Sequence, residues 1–313
     1  MGTMITIRAW AGTEQGQIDE LTLSVRKAYD RIAALEQIFS DYRRDSEVSK
    51  LASAPSEEPI PVGTELFDLF QKSRELYDNT AGAFDITLGP LIRQWRLSRK
   101  NHRLPSKESF DRARARSGFH LVVLNAENQT ILKKVDGMIF DFGGIGKGYA
   151  ADAALKILRE EGYPRSLVAV SGDIALGDPP PGKKLWRVGI ESLQLVEDSS
   201  DLQTISIANA SVSTSGDTQQ YVAIEGKRYS HILDPETGLG LTERIGVSVI
   251  APNTTTSDSF ATAVSILGEK EGLKFIENKR GIECQIVTLR DGRETIIRTD
   301  GFIEDSQLEA KKE

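Results

Sequence analysis

Four short stretches of this sequence combine side chains and glycines in patterns that can do chemistry. In DFGGIGKGYAAD (141–152) a single lysine, Lys147, sits in a glycine-rich turn ahead of a helical run. Such a turn aims backbone N–H groups and a helix N-terminus at an anion, and a phosphate would suit it. It is not a Walker A loop, because Gly148 follows Lys147 where Ser or Thr is required, and it lacks the G-x-G-x-x-G spacing of a dinucleotide fold. A tight turn with no ligand explains the glycines equally well. In TTTSDSFAT (254–262), Ser257 is expected to cap a helix on which Asp258 and Thr262, four residues apart, share one face. Two converging oxygen donors suit Mg²⁺, which favours hard oxygen ligands and completes its shell with water or substrate phosphates. The plainer reading is a first-turn aspartate in the helix dipole and a threonine bonded to its own backbone.

SVSTSGDTQQY (211–221) and SHILDPETG (230–238) gather small hydroxyl residues, glycine and His231. His231 could hydrogen-bond a phosphate or move a proton, although a lone histidine is more often structural; His102 and His120 sit in plainer settings. SGDI (171–174) is either a strand-end turn or a loop that approaches a ligand through Gly172 and holds it with Asp173. No G-x-S-x-G elbow is present, so a hydrolase triad has little support.

The elements that must position these groups follow from hydrophobic spacing. Residues 4–10 alternate as a strand, and apolar residues from Ile18 to Leu35 recur at helical spacing. Residues 53–63 are turn-rich, and Leu66, Leu69, Leu76 and Tyr77 predict a helix ending near Asn79. Residues 98–109 read as a surface connection before another helix, and HLVVLN (120–125) and GMIFDF (137–142) as strands. A helix over 148–161 is closed by Gly162 and Pro164. Strands are expected in SLVAVSGDI and WRVGIE and around Ile205, Tyr221, Tyr229 and Val247, then a helix over 257–268 and a hairpin turned by Asp291-Gly292. Without regular βαβ alternation, the prediction is an α+β fold of mixed sheets with packed helices.

At 313 residues the chain fits one domain over 1–303, or two intimately packed lobes, with a charged tail over 304–313. A formal charge of -7 argues against a general nucleic-acid binder, which needs a basic surface to displace counterions from phosphates. The single cysteine, Cys284, excludes an internal disulfide and a thiolate metal cluster. Apolar residues at 39% and charged residues at 27% match an ordinary globular enzyme. No run approaches the ~20 apolar residues of a membrane span, and no secretory leader precedes the first strand. MGTMIT fits a myristoylation pattern only because that pattern is degenerate.

Taken in order, these elements resemble the ApbE-like flavin transferases over nearly the whole chain. M-G-T lies at Met1–Thr3, F-S-x-Y at Phe39–Tyr42, F-D-x-T-x-G-P-L at Phe84–Leu91 and D-x-G-G-I-x-K-G-Y at Asp141–Tyr149. T-S-G, S-H-I-x-D-P-x-T-G and D-x-x-x-T follow at Thr214–Gly216, Ser230–Gly238 and Asp258–Thr262. The resemblance implies Mg²⁺-dependent transfer of FMN from FAD to a Thr or Ser hydroxyl of a target flavoprotein, with release of AMP. FAD would meet Met1, Tyr42, Ala83, Phe84, Asp85, Asp141, Lys147 and Ile232, with Asp173 beside it. Mg²⁺ would take the Gly144 carbonyl and the side chains of Asp258 and Thr262, and Asp258 and His231 are both open as the proton acceptor. Two departures touch fine specificity: Ser171-Gly172-Asp173 stands for Gly-Gly-Asp, and Gly146 for an alanine. The implied acceptor is an electron-transport subunit carrying D-x-x-[ST]-[GA]-[AST]-[ST]. The implied location is the periplasm or outer face of the bacterial inner membrane, with a leader trimmed away and any membrane association made through it; a cytoplasmic form is the alternative. An FAD pyrophosphatase and a non-catalytic FAD carrier are the rival functions.

Overall fold

The computed structural model describes residues 3–12, 14–190, 193, 203–216, 220–277 and 279–302. Met1 and the 304–313 tail therefore lie outside the described residues. The helices are α1 Gln15–Phe39, α2 Glu47–Ser53, α3 Thr64–Asn79, α4 Gly89–Asn101, α5 Lys107–Arg114, α6 Gly146–Glu160 and α7 Thr254–Glu277. The strands are β1 Ile5–Ala9, β2 Pro59–Pro61, β3 Val122–Asn125, β4 Thr130–Lys133, β5 Ser166–Val170, β6 Asp173–Leu176, β7 Trp186–Ile190, β8 Gln203–Ile207, β9 Ser211–Gly216, β10 Tyr221–Ile224, β11 Lys227–Ser230, β12 Arg244–Ala251, β13 Glu283–Arg290 and β14 Arg293–Arg298. The chain divides into two compact units, one of residues 1–34, 147–216 and 244–313, the other of 35–146 and 217–243.

The first unit is built on an antiparallel sheet ordered β1-β5-β6-β9-β12-β13-β14. Its strands are rich in Val, Ile and Ser, and β5 buries alternate residues as a half-covered strand should. On one face Val247, Val249, Cys284 and Ile286 pack with Ala261, Val264 and Ile276 of α7. At ~25 cal/mol per Å² of apolar surface removed from water, that interface is the main force seating α7. The β13–β14 turn is made by Asp291 and Gly292 with φ of 50° and 74°, the left-handed pair a two-residue hairpin demands.

The second unit holds α2 to α5, the small sheet β2-β4-β3 and the hairpin β10–β11. Trp95 and Leu91 of α4 pack with Val222, Ile224 and Tyr229 of the hairpin, and Trp95 Nε1 donates to the Ser230 carbonyl at 3.0 Å. Phe70 of α3 meets Phe140 and Phe142 edge-on. Lys133 is fully buried, and its ammonium caps the end of α2 by donating to the Ala52 and Ala54 carbonyls at 2.7 and 2.6 Å.

Five local readings are corrected. Residues 137–142 form no strand: Met138, Phe140 and Phe142 are buried in alternation, but the segment lies alone against the core instead of joining a ladder. Residues 98–101 are the last turn of α4, whose Gly89-Pro90 start is a proline-tolerant first turn. The turn-rich 53–63 segment contains β2, and the hydroxyl-rich 211–216 segment is β9, paired on both sides by β6 and β12. Helix α7 begins at Thr254, so Ser257 is a buried interior residue and not its cap; Asn253 Oδ1 accepts the Thr256 N–H at 2.9 Å instead. Among the described residues, no helix is long and apolar enough to cross a membrane.

Candidate functional site

In the first unit Lys147 stands on the first turn of α6, directly after the glycine turn. Its ammonium donates to the Asp173 carboxylate and, at 3.1 Å, to Asp258 Oδ1. The Gly148 N–H donates to the other oxygen of Asp258 at 2.9 Å. Both carboxylates are 4% exposed, and the lysine is 31% exposed, so the cluster opens to solvent on the lysine side. Asp173 is fixed at the start of β6, where it registers with Val170 on one side and Ser213 on the other. The turn before it needs a left-handed residue, supplied by Ser171 at φ 59°.

Asp258 is placed by its helix terminus. The Asp152 carboxylate, five residues beyond Lys147 on α6, accepts the Thr254 and Thr255 N–H groups, both at 2.7 Å, and the Thr255 hydroxyl at 2.6 Å. An anion at a helix N-terminus satisfies orphan donors and the dipole together. A side chain at Gly148 would collide with the Thr254 carbonyl, so only glycine lets α6 approach α7 closely enough for the Gly148–Asp258 bond. Ser257 ties the helix to the sheet through Ser211 and Ser213 at 3.1 and 2.8 Å. Thr262 is half-buried one turn beyond Asp258, on the same face.

Two carboxylates against one ammonium leave an uncompensated negative charge in a poorly hydrated place. Burial would lower the Lys147 pKa, but Asp258 and Asp173 outweigh it and hold the group well above its ordinary value. Asp258 is pushed above the usual carboxylate range, first by burial and then by the charge of Asp173; Lys147 and the Gly148 N–H pull only partly the other way. Excess negative charge on hard oxygen donors fits a magnesium ion. Among the described residues no three His, Cys, Asp or Glu side chains gather to hold a metal, so such an ion would draw ligands from the substrate and water. Gly144 lies in the turn before α6, where the Ile145 and Gly146 N–H groups both donate to the Phe142 carbonyl.

The second unit brings Tyr42 and Asp141 together through a residue that no motif contained. Arg96 of α4 donates to Asp41 and Asp141, each at 2.5 Å, and its guanidinium lies 4.3 Å from the Tyr42 ring centre. Asp85 accepts the Thr87 N–H at 2.7 Å and its hydroxyl at 2.5 Å, yet burial raises its pKa to about 6. Its electrostatic neighbours include His120, which looked plain in the sequence. Phe84 and Ile232 are buried, so any ligand would reach them mainly along the backbone; the Ala83 N–H donates to the Thr80 carbonyl at 3.1 Å. His231 donates its N–H to the Gln220 carbonyl at 3.0 Å, and its ring Nδ1 lies 3.3 Å from the same oxygen. Arg96, Asp41 and Asp152 were missed because their partners are distant in sequence; Asp41 and Asp152 lay inside quoted motifs, Asp41 as the variable position of F-S-x-Y, but Arg96 lay in none.

Comparison with known proteins agrees with this arrangement of elements. The family model described as "ApbE family" matches residues 1–286. A protein of Escherichia coli strain K12 named FAD:protein FMN transferase is 31% identical over 267 residues, covering 84% of this chain and 76% of its own. One of the same name from Vibrio cholerae is 31% identical over 299 residues, covering 93% and 86%. The solved flavin transferase ApbE from Vibrio cholerae superposes with a TM-score of 0.82 at 26% identity, covering 96% of this chain and 95% of that one. The flavinyl transferase ApbE of Pseudomonas stutzeri, in its apo form, gives 0.78 at 27% identity, covering 95% of both.

Proposed function

The chain belongs to the ApbE family, and from that premise we propose that it transfers the FMN half of FAD to a Thr or Ser hydroxyl of an acceptor protein, releasing AMP. The observation that carries this reading is Lys147 held between Asp173 and Asp258 at the head of a glycine turn. In the proposed reaction the acceptor oxygen bonds to the phosphorus on the FMN side. The bond from that phosphorus to the bridging oxygen breaks, the bridging oxygen leaves with AMP, and the hydroxyl proton passes to a base.

Asp258 and Thr262, with the Gly144 carbonyl, would hold Mg²⁺, which when bound supplies charge neutralisation of the phosphate oxygens. Lys147 contributes a fixed positive charge where negative charge develops, and the Gly148 N–H keeps Asp258 aimed at it. Asp173 keeps the ammonium in place and protonated. Asp258 and His231 both serve the reading as proton acceptors: the first is a carboxylate beside Lys147, and the second carries an imidazole on a turn. The proposed acceptor carries D-x-x-[ST]-[GA]-[AST]-[ST] on an electron-transport flavoprotein, and the proposed place of work is the outer side of the bacterial inner membrane.

The test is incubation with FAD, Mg²⁺ and a peptide bearing that motif, followed by mass spectrometry. Acceptor-dependent gain of one FMN, lost when the motif hydroxyl is replaced by alanine, is the expected result. Free FMN and AMP formed without acceptor would make the chain a pyrophosphatase. FAD recovered intact would make it a carrier.

A further inference from the structure

Arg96 lies outside every motif in the sequence, yet it is the point at which three separate stretches of the second unit meet. Its Nη1 donates to Asp41 and its Nη2 to Asp141, each at 2.5 Å. Those carboxylates are 15% and 8% exposed, so the pairs stand where water screens them weakly. Because a guanidinium is planar, fixing both terminal nitrogens fixes the plane of the whole group. Against that group stands the ring of Tyr42, 4.3 Å from guanidinium carbon to ring centre.

Tyr42 is 76% exposed, an unusual state for a ring in an ordered turn. Little packing holds it; what does hold it is the cation and the Asp41 carboxylate of the adjacent residue, both parts of the Arg96 cluster. Asp141 is likewise fixed: its Oδ1 accepts the Gly143 N–H at 2.7 Å and its own N–H donates to the Ile86 carbonyl at 2.8 Å. Without Arg96, two largely buried carboxylates would face one another without a countercharge, and that repulsion would act on the 41–42 turn. A salt bridge meant only to fasten α4 would not need to leave a large aromatic face open beside it.

We propose that Arg96 is a positioning residue for flavin binding, holding the Tyr42 ring and the Asp141 carboxylate in the orientation that receives the planar ring system of FAD. This rests on the flavin-transfer reading above. Arg96 acts through Tyr42 and Asp141, so its loss weakens FAD binding and leaves the phosphoryl step of bound substrate nearly untouched.

The experiment measures KM for FAD and kcat in the full-length protein with Mg²⁺ and acceptor peptide, and FAD affinity with chelator by flavin fluorescence. Arg96→Ala is expected to raise KM about tenfold with kcat within about twofold, since loss of uniform binding moves KM alone. Arg96→Lys restores part of the loss, because a point charge cannot bridge both carboxylates. In a Tyr42→Ala background the same Arg96→Ala change adds less than about twofold, as groups acting as one unit are non-additive. Effects that multiply independently, an unchanged KM, or a fall in kcat alone would each overturn the proposal. If Arg96→Ala does not fold, Arg96→Lys and Asp41→Asn carry the test, and a normal KM in both overturns it. Coupled loss of FAD affinity in a protein that transfers no FMN would instead sink the transfer reading and leave this one standing.

Discussion

Each compact unit centres on one cation held between two carboxylates, and the two clusters behave differently. Lys147 stands between Asp173 and Asp258, and Arg96 between Asp41 and Asp141. The formal charge is the same in both, and burial raises a carboxyl pKa in each. What differs is the geometry of the cation. A guanidinium satisfies two carboxylates with two fixed prongs and stays charged, which makes a scaffold. An ammonium is a compact charge on a flexible stem that can turn towards an arriving phosphate oxygen without losing both partners. Each cluster has one backbone amide on one carboxylate, but the lysine cluster also has the Thr262 side chain one turn beyond Asp258, an oxygen that a scaffold does not need.

The comparison breaks first at Asp258. Asp258→Ala removes the anionic member of the proposed cation site and should lower turnover by ~10³-fold or more, with FAD affinity changed far less. Turnover and binding measured together check this. Near-normal turnover would dissolve the distinction between a reactive cluster and a scaffold.

Exchanging the cations comes next. Lys147→Arg keeps the charge but replaces a point with a fork in a site fitted to an ammonium, and is expected to cost about 10²-fold in kcat. The reciprocal Arg96→Lys change spares kcat and costs only affinity. Equal kcat losses in the two variants would show that the units share one role.

Much of this was legible in the sequence because it is local. The Asp258–Thr262 spacing fixes a shared helical face, and the Gly143–Gly148 turn announces a lysine before a helix. The long apolar periodicities of α1 and α3 give those helices directly. What was hidden depends on residues far apart. Arg96 is 55 residues from Asp41 and 45 from Asp141, and nothing around it marks an ion pair. Ser257 has the right chemistry and position for a cap, but Asn253 and Asp152 satisfy the helix start a turn earlier, leaving Ser257 to bond β9. GMIFDF alternates as a strand does, yet alternation reports only which side is buried and says nothing of a ladder partner.

A third carboxylate sharpens the comparison with the smallest effect, because Asp85 is buried and its charge partner, the exposed His120, is outweighed by that burial. It has two donors from Thr87, but burial is the largest influence and lifts its pKa from 3.8 to about 6 in the folded protein. Between those values the folded state keeps a proton that the unfolded chain has released, so stability falls as pH rises. The contribution is full below about 4, is lost through about 6, and is flat beyond. Asp85→Asn cannot ionise, and its amide oxygen can still accept both Thr87 bonds. The variant should therefore match the parent near pH 4 and exceed it near pH 8 by on the order of 2 kcal/mol, a gain of several degrees in thermal midpoint. Comparing the two proteins at each pH cancels the shared titrating groups that do not interact with Asp85. An Asn variant less stable than the parent at pH 8 would mean that the Thr87 donors outweigh burial, and that a buried carboxylate here can do without the cation that Arg96 and Lys147 supply to the others.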